Sequence, residues 1–184
     1  MSDGATPGES GVAADPATRV DADEALTALA RRVQERALAA GSSVSLAESC
    51  TGGLVAAALT AIPGSSGYFL GGVVSYANEA KRDVLGVDQA LLAAHGAVSA
   101  QVARAMAEGA RARFGTSIAA SVTGIAGPDG GSAEKPVGLT YVAVADEAGA
   151  DVRRFLWPGD RAANRRDSAV AVLEALLARL QGAS

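Results

Sequence analysis

The order of apolar patterns along the chain is the feature that most constrains its fold. Runs rich in apolar, β-branched and aromatic residues lie at 44–49, 68–76 and 117–123. Segments with the spacing of amphipathic helices separate these runs. Short buried strands that alternate with helices are typical of a sheet covered by helices on both faces. The pattern therefore predicts an α/β protein.

Two further runs, 137–145 and 152–157, are joined by the short polar segment 146–150, which predicts an antiparallel hairpin. Arg153 and Arg154 interrupt the second run and place it at an edge of the sheet. If the other strands are parallel, the fold is a three-layer α/β/α sandwich with a mixed, mostly parallel sheet of about five strands. The predicted helices cover 21–40, 51–61, 78–85, 90–94, 99–114 and 160–180.

Capping residues and composition set the expected limits of the domain. Asp21, with Glu24 three residues later, is the expected N-cap of the first helix, and Ser99 and Asp160 are those of two later helices. Residues 1–20 mix Gly, Pro, Ser, Thr and acidic residues without periodicity, so we expect a disordered tail there. One domain should then occupy residues 21–182.

Composition excludes several functional classes. The 184 residues carry a net charge of −4, which makes nucleic acid a poor partner. No apolar run approaches the ~20 residues needed to span a membrane, so we expect no membrane partner. Cys50 and His95 are the only residues of their types, which excludes a cysteine or multi-histidine metal cluster and leaves little room for a histidine-based triad. Without a signal-type N-terminus, we expect a cytoplasmic protein.

The stretch AESCTGG at 47–53 joins a predicted strand to a predicted helix. Ligands of open α/β sheets bind beyond the carboxyl ends of the strands, where a helix N-terminus favours a phosphate or a developing oxyanion. Three interpretations stay open: a nucleophile, a phosphate site, or a helix merely capped by Ser49 or Thr51. A Walker A loop is excluded because its spacing and its lysine are missing.

A second candidate, YANEAK at 76–81, directly follows a strand. Tyr76 and Lys81 can reach the same crevice, and a lysine that burial favours in its neutral form can act as a general base. The alternative is an interfacial tyrosine beside an ordinary surface lysine. The pair does not fit a short-chain dehydrogenase, because its spacing differs and no glycine fingerprint follows the first strand.

A third candidate is the glycine-rich loop at 124–131, which follows a buried strand. Its four glycines and one proline are more special backbone than a simple connection needs. Exposed N–H groups in such a loop suit an anionic ligand. The alternative is a long, mobile surface loop.

Six blocks in one order, AESCTGG, YANEAK, HGAVS, TGIAGPDGGS, EKPVG and GDR, give the chain a family resemblance over about residues 22–180. It resembles the C-terminal domain of the competence/damage-inducible CinA proteins, whose stand-alone members are nicotinamide-nucleotide amidases. The resemblance implies hydrolysis of nicotinamide mononucleotide to nicotinate mononucleotide and ammonia, without metal or cofactor. It also implies a small-molecule pyridine nucleotide as partner and a homo-oligomer.

Matched motif by motif, the resemblance makes Ser49 the nucleophile and Tyr76 and Lys81 its supporting acid/base groups. We expect N–H groups at 50–53 to form an oxyanion hole, and the glycine loop with Arg161 or Arg165 to hold the 5′-phosphate. The expected substrate-binding residues are Cys50, Thr51, Gly52, Gly53, Asn78, Thr123, Gly124, Gly127, Arg161 and Arg165.

Two departures and two alternatives accompany this interpretation. Family members often carry serine where this chain has Ala77, so we do not expect that hydroxyl to be needed here. Many members also carry a further N-terminal domain. Residues 1–20 cannot form that domain, so we expect the amidase-type domain alone. One alternative function is a catalytically silent nucleotide-binding or regulatory module. The other makes Cys50 the nucleophile, since thiolates attack readily.

Overall fold

The computed structural model describes residues 16–182. In chain order, these form α1 (Pro16–Ala39), β1 (Val44–Glu48), α2 (Leu54–Thr60), a 3-10 turn (Ser65–Gly67), β2 (Phe69–Val74), α3 (Asn78–Leu85), α4 (Gln89–His95), α5 (Ala100–Phe114), β3 (Ile118–Gly124), β4 (Leu139–Asp146), β5 (Gly149–Leu156) and α6 (Arg161–Gly182). Every predicted strand and helix is present, in the predicted order.

The five strands form one mixed sheet in the order β2-β1-β3-β4-β5. β1 pairs in parallel with β2 and β3, whereas the β3–β4 and β4–β5 pairs are antiparallel. The mixed sheet, the β4–β5 hairpin and the edge position of β5 are confirmed. The expectation that every other pair is parallel was wrong for β3–β4. No helix lies between these two strands, and a parallel pair needs a long crossover, usually helical.

Helices cover both faces of the sheet and confirm the three layers. On one face, α1, α2 and α6 pack against side chains such as Leu46, and together they form the larger apolar cluster. On the other face, α3, α4 and α5 pack against side chains such as Ala47. These two neighbours on β1 point to opposite faces, as strand geometry requires. Among the described residues, no helix is long and apolar enough to cross a membrane.

Two helix starts differ from the prediction. α1 begins at Pro16 rather than Asp21, and proline suits the first turn of a helix. Residues 16–20 are therefore helical, while the rest of the predicted tail, 1–15, lies outside the described residues. α2 begins at Leu54 rather than Thr51 because Gly52 and Gly53 have φ angles of 63° and 95°, which a right-handed helix cannot contain.

The caps predicted for the two later helices are confirmed. Ser99 Oγ accepts a hydrogen bond from Val102 N at 3.3 Å, before the first turn of α5. Asp160 Oδ1 accepts one from Ala163 N at 2.8 Å, before α6. Because β1, β2 and β3 are parallel, their carboxyl ends meet at one edge of the sheet. The three candidate motifs therefore lie at that edge.

Candidate active site

Ser49 follows the last residue of β1 and is held between the central strands. Its N–H donates to the carbonyl of Val122 on β3 at 2.9 Å. The residue is only 8% exposed. The predicted nucleophile is therefore fixed by the sheet rather than carried on a loose loop.

Lys81 reaches Ser49 from the first turns of α3. Its Nζ lies 3.1 Å from Ser49 Oγ, 2.8 Å from the carbonyl oxygen of Ser75 and 3.4 Å from that of Tyr76. The residue is 1% exposed, and among residues 23–182, whose side chains the structure describes, no acidic one forms an ion pair with it. Burial lowers the pKa of Lys81 below its ordinary value, an effect that nearby Cys50 partly opposes.

The surroundings of the Lys81 amine suit a base. A neutral amine has two N–H donors and one lone pair. The carbonyls of Ser75 and Tyr76 can accept those two donors, which leaves the lone pair for the hydroxyl proton of Ser49. This arrangement can deprotonate a serine without histidine.

Cys50 is buried beside this pair, with 5% exposure, and belongs to the apolar core. Burial raises the pKa of its thiol to about 12. A thiol with such a pKa forms almost no thiolate near neutral pH, and the thiolate is the attacking species. The geometry therefore disfavours Cys50 as the nucleophile.

Glu48, which the sequence analysis missed, organises the turn after Ser49. Its buried carboxylate accepts hydrogen bonds from Thr51 Oγ1 at 2.7 Å and from the N–H groups of Gly53 at 3.0 Å, Val55 at 3.1 Å and Ala56 at 2.8 Å. Glu48 thus caps α2, and the interpretation of Ser49 or Thr51 as the cap was wrong. The N–H groups of Gly53, Val55 and Ala56 are occupied by Glu48, so they are not offered to a phosphate.

The four N–H groups expected to form an oxyanion hole are not equivalent. That of Gly52 donates to the carbonyl of Ser49 at 3.1 Å, and that of Gly53 donates to Glu48. No backbone acceptor in the described part of the chain takes the N–H of Cys50 or of Thr51, although both N–H groups lie close enough to the Cys50 sulfur to lower the pKa of its thiol. These two remain available to a ligand.

The beginning of α6 joins the candidate motifs. Arg161 donates through Nη1 to the carbonyl of Gly127 at 2.8 Å and through Nη2 to the hydroxyl of Tyr76 at 2.9 Å. Arg165 donates through Nε and Nη2 to the carbonyl of Thr51, at 3.3 and 2.7 Å. Asn164 donates to the carbonyl of Ala126 at 3.1 Å.

Tyr76 contacts the site in two separate ways. Its carbonyl oxygen faces Lys81, whereas its hydroxyl bonds to Arg161 and makes no hydrogen bond to Ser49 or Lys81. The side chain is 57% exposed. An acid/base role for this hydroxyl stays a prediction, and its position beside Arg161 suits contact with substrate.

The remaining expected binding residues have varied surroundings. Asn78 is the exposed first residue of α3, and the buried hydroxyl of Thr123 donates to the carbonyl of Ala97 at 2.9 Å. A Cβ at Gly124 would lie 2.6 Å from Thr140 Oγ1, and one at Gly127 would lie 2.6 Å from Val137 Cγ1. Packing alone therefore requires these two glycines. Among the described residues, no group of three His, Cys, Asp or Glu side chains could hold a metal.

Comparison with known sequences places this site in a family. Residues 26–180 match the family described as the CinA C-terminal domain. A CinA-like protein of Geobacter sulfurreducens is 55% identical over 154 residues, which are 84% of this chain and 36% of that protein. One from Gemmatimonas aurantiaca is 55% identical over 134 residues, 73% of this chain and 31% of that protein. The chain thus spans about a third of the length of these curated relatives.

Solved structures agree in fold. The competence/damage inducible protein CihA from Agrobacterium tumefaciens superposes with a TM-score of 0.82 at 46% identity, over 84% of this chain and 94% of that one. A CinA superfamily protein from Escherichia coli superposes with a TM-score of 0.80 at 30% identity, over 84% of this chain and 90% of that one. With a match across most of its length and a shared fold, the chain belongs to the CinA C-terminal domain family.

Proposed function

We propose that this protein is an amidohydrolase that converts nicotinamide mononucleotide and water into nicotinate mononucleotide and ammonia. The observation that carries the proposal is the 3.1 Å contact between Ser49 Oγ and the buried amine of Lys81. The family resemblance supplies the substrate. The only histidine, His95, lies exposed at the end of α4, and the side-chain hydrogen bond of Ser49 is to Lys81.

In the first half of the reaction, Ser49 Oγ attacks the carboxamide carbon while its proton passes to Lys81 Nζ. The N–H groups of Cys50 and Thr51 are the proposed donors to the oxyanion that forms. When the tetrahedral intermediate collapses, the C–N bond breaks and the leaving nitrogen takes the proton from Lys81. Ammonia departs, and an ester to Ser49 remains.

In the second half, water attacks the ester carbon and gives its proton to the same lysine. Lys81 then returns a proton to Ser49 Oγ as the C–O bond breaks. The products are nicotinate mononucleotide and the free serine. One buried amine therefore serves as base and acid in both halves, which requires a pKa closer to neutrality than that of an ordinary lysine.

The phosphate end of the substrate is assigned to Arg161 rather than to Arg165. Both guanidinium groups already donate through two nitrogens, but Arg165 is half-buried against the carbonyl of Thr51. Arg161 is exposed beside Tyr76 and the glycine loop. Its guanidinium can add a phosphate contact.

The test is an ammonia-release assay with nicotinamide mononucleotide. We expect Ser49→Ala and Lys81→Met each to lose at least about 1,000-fold in kcat, as loss of a nucleophile or its base does in other serine hydrolases. The matched control is Ser45→Ala, which removes a buried serine hydroxyl of β1 that bonds to the hydroxyl of Thr116 at 2.7 Å. We expect that variant to keep near-parent turnover.

Two outcomes would contradict the proposal in different ways. Near-parent turnover of Ser49→Ala would exclude Ser49 as the nucleophile and would favour the alternative in which Cys50 attacks. A parent protein that binds nicotinamide mononucleotide without releasing ammonia would instead support a silent binding module.

A further inference from the structure

Thr51 is held from two sides in the turn that follows Ser49. Its side-chain hydroxyl donates to the carboxylate of Glu48 at 2.7 Å. Its carbonyl oxygen accepts from Nη2 of Arg165 at 2.7 Å and from Nε of the same arginine at 3.3 Å. The residue is fully buried. A buried residue that is bonded at both its side chain and its carbonyl is rigid.

The guanidinium of Arg165 also packs against the peptide group between Thr51 and Gly52. A Cβ placed on Gly52 would lie 3.4 Å from Nη2 of Arg165. The N–H of Gly52 donates to the carbonyl of Ser49 at 3.1 Å. This peptide group is thus bonded at its oxygen by Arg165 and at its N–H by Ser49, which fixes its orientation.

Two fixed points therefore enclose the peptide groups that carry the proposed oxyanion donors. At one end, the N–H of Ser49 donates to the carbonyl of Val122 on β3 at 2.9 Å. At the other end lies the peptide group held by Arg165. Between them lie only the peptide groups whose N–H groups belong to Cys50 and Thr51. Each residue has two soft backbone dihedrals, so a shift of the carbonyl of Thr51 turns these N–H groups as well.

The part of α6 that carries Arg165 is itself anchored, through the preceding residue. Asn164 is 1% exposed and donates through Nδ2 to the carbonyl of Ala126 at 3.1 Å. Its N–H donates to the carbonyl of Asp160 at 2.8 Å. The guanidinium of Arg165 is therefore carried by a rigid helix, as accurate placement of a reacting group requires.

The surroundings of Arg165 suit a residue that holds a carbonyl. The residue is half-buried, and no acidic side chain in the described part of the chain forms an ion pair with it. A cation withdrawn from water needs other acceptors, and the carbonyl of Thr51 takes two of its donors. Arginine presents adjacent N–H groups in a fixed plane, which the rotating ammonium of lysine does not.

We propose that Arg165 is a positioning residue which, through the carbonyl of Thr51, aims the N–H groups of Cys50 and Thr51 at the oxyanion. This role rests on the proposed amidase function, since the oxyanion forms only in that reaction. Arg165 does not touch the substrate in this role. Misaligned donors slow the chemical step, because they stabilise the transition state less while binding of the substrate is retained.

The kinetic test measures ammonia release from nicotinamide mononucleotide by Arg165→Met. We expect kcat to fall by roughly 10- to 100-fold and KM to change by less than about 3-fold. Arg165→Lys keeps the charge but not the planar donors, so its kcat should lie between those of the parent and Arg165→Met. The matched control is Arg166→Met, because Arg166 is also half-buried on α6 but takes no part in the hydrogen bonds to Thr51. It should keep the parent kcat and KM.

A second measurement needs no turnover. Cys50 is the only cysteine of the chain, lies inside this turn and is 5% exposed. The rate at which N-ethylmaleimide labels it, followed by mass spectrometry, reports how often the turn opens. We expect labelling of Arg165→Met to be at least about 10-fold faster than that of the parent, and labelling of Arg166→Met to keep the parent rate. Loss of a positive charge by itself disfavours the thiolate and slows labelling, so an increase reports opening.

Urea denaturation of each variant gives the labelling expected from global unfolding, which is subtracted. A rise in KM at unchanged kcat would overturn the proposal, because Arg165 would then bind substrate. Labelling of Arg165→Met at the parent rate, or equal effects of Arg165→Met and Arg166→Met, would overturn it as well. A parent that releases no ammonia would overturn the proposed function, and the labelling rates would still decide whether Arg165 holds the turn.

Discussion

Replacing Glu48 by glutamine tests whether this buried carboxylate holds the turn after Ser49. The carboxylate accepts four hydrogen bonds, three at Oε2 and one at Oε1. A glutamine has the same shape but only one accepting oxygen. If its oxygen takes the three donors, its NH₂ group faces the N–H of Ala56, and that donor loses its partner.

The expected loss of stability follows from two contributions. One buried N–H without an acceptor costs about 1–3 kcal/mol. Loss of the negative charge at the beginning of α2 removes up to about 2 kcal/mol of helix-dipole stabilisation. Together, Glu48→Gln should lower the free energy of unfolding by about 2–4 kcal/mol. For a domain of this size, Tm should fall by roughly 5–15 °C.

Urea denaturation followed by far-UV circular dichroism measures this loss. Glu79→Gln is the matched control, because Glu79 also lies in the first turn of a helix but is exposed. We expect that control to lose clearly less. A Glu48→Gln variant no less stable than Glu79→Gln would refute the reasoning, since burial and the four donors would then contribute nothing.

Two further predictions concern Lys81 and Arg161. Because burial lowers the pKa of Lys81 below 10.5, the unfolded chain binds more protons than the folded chain between that lowered value and 10.5. The parent should therefore gain stability relative to Lys81→Met as pH rises from about 7 to 10, measured by urea denaturation. A difference that shrinks or stays constant would contradict a lowered pKa. Arg161→Ala should raise KM for nicotinamide mononucleotide by at least about 10-fold and change kcat less, if Arg161 binds the phosphate; a fall in kcat alone would oppose that assignment.

Much of the fold could be predicted because the strands and helices differ in periodicity and are separated by Gly, Pro and capping residues. Ser99 and Asp160 cap their helices as expected. The juxtaposition of Ser49 and Lys81 was also predictable, since both follow neighbouring strands that end at the same edge of a sheet.

The direction of β4 and the role of Glu48 were not predicted, for different physical reasons. The loop at 125–138 has no helix, and this was a usable signal that β3 and β4 are antiparallel. Glu48 gave no such signal, because a single glutamate at the end of an apolar run is usually solvated. Its four donors come from the turn that follows it, whose path depends on the left-handed Gly52 and Gly53.

The contacts of α6 bear on when the site comes into existence during synthesis. Ser49, Tyr76, Lys81 and the glycine loop all precede this helix in the chain, yet side chains of its first two turns hold the turn at 51, the hydroxyl of Tyr76 and the loop at 126–127. A growing chain can thus contain every proposed reacting group before the contacts of α6 with these parts have formed. We expect the site to reach its final geometry only after α6 has been synthesised and has packed against the sheet.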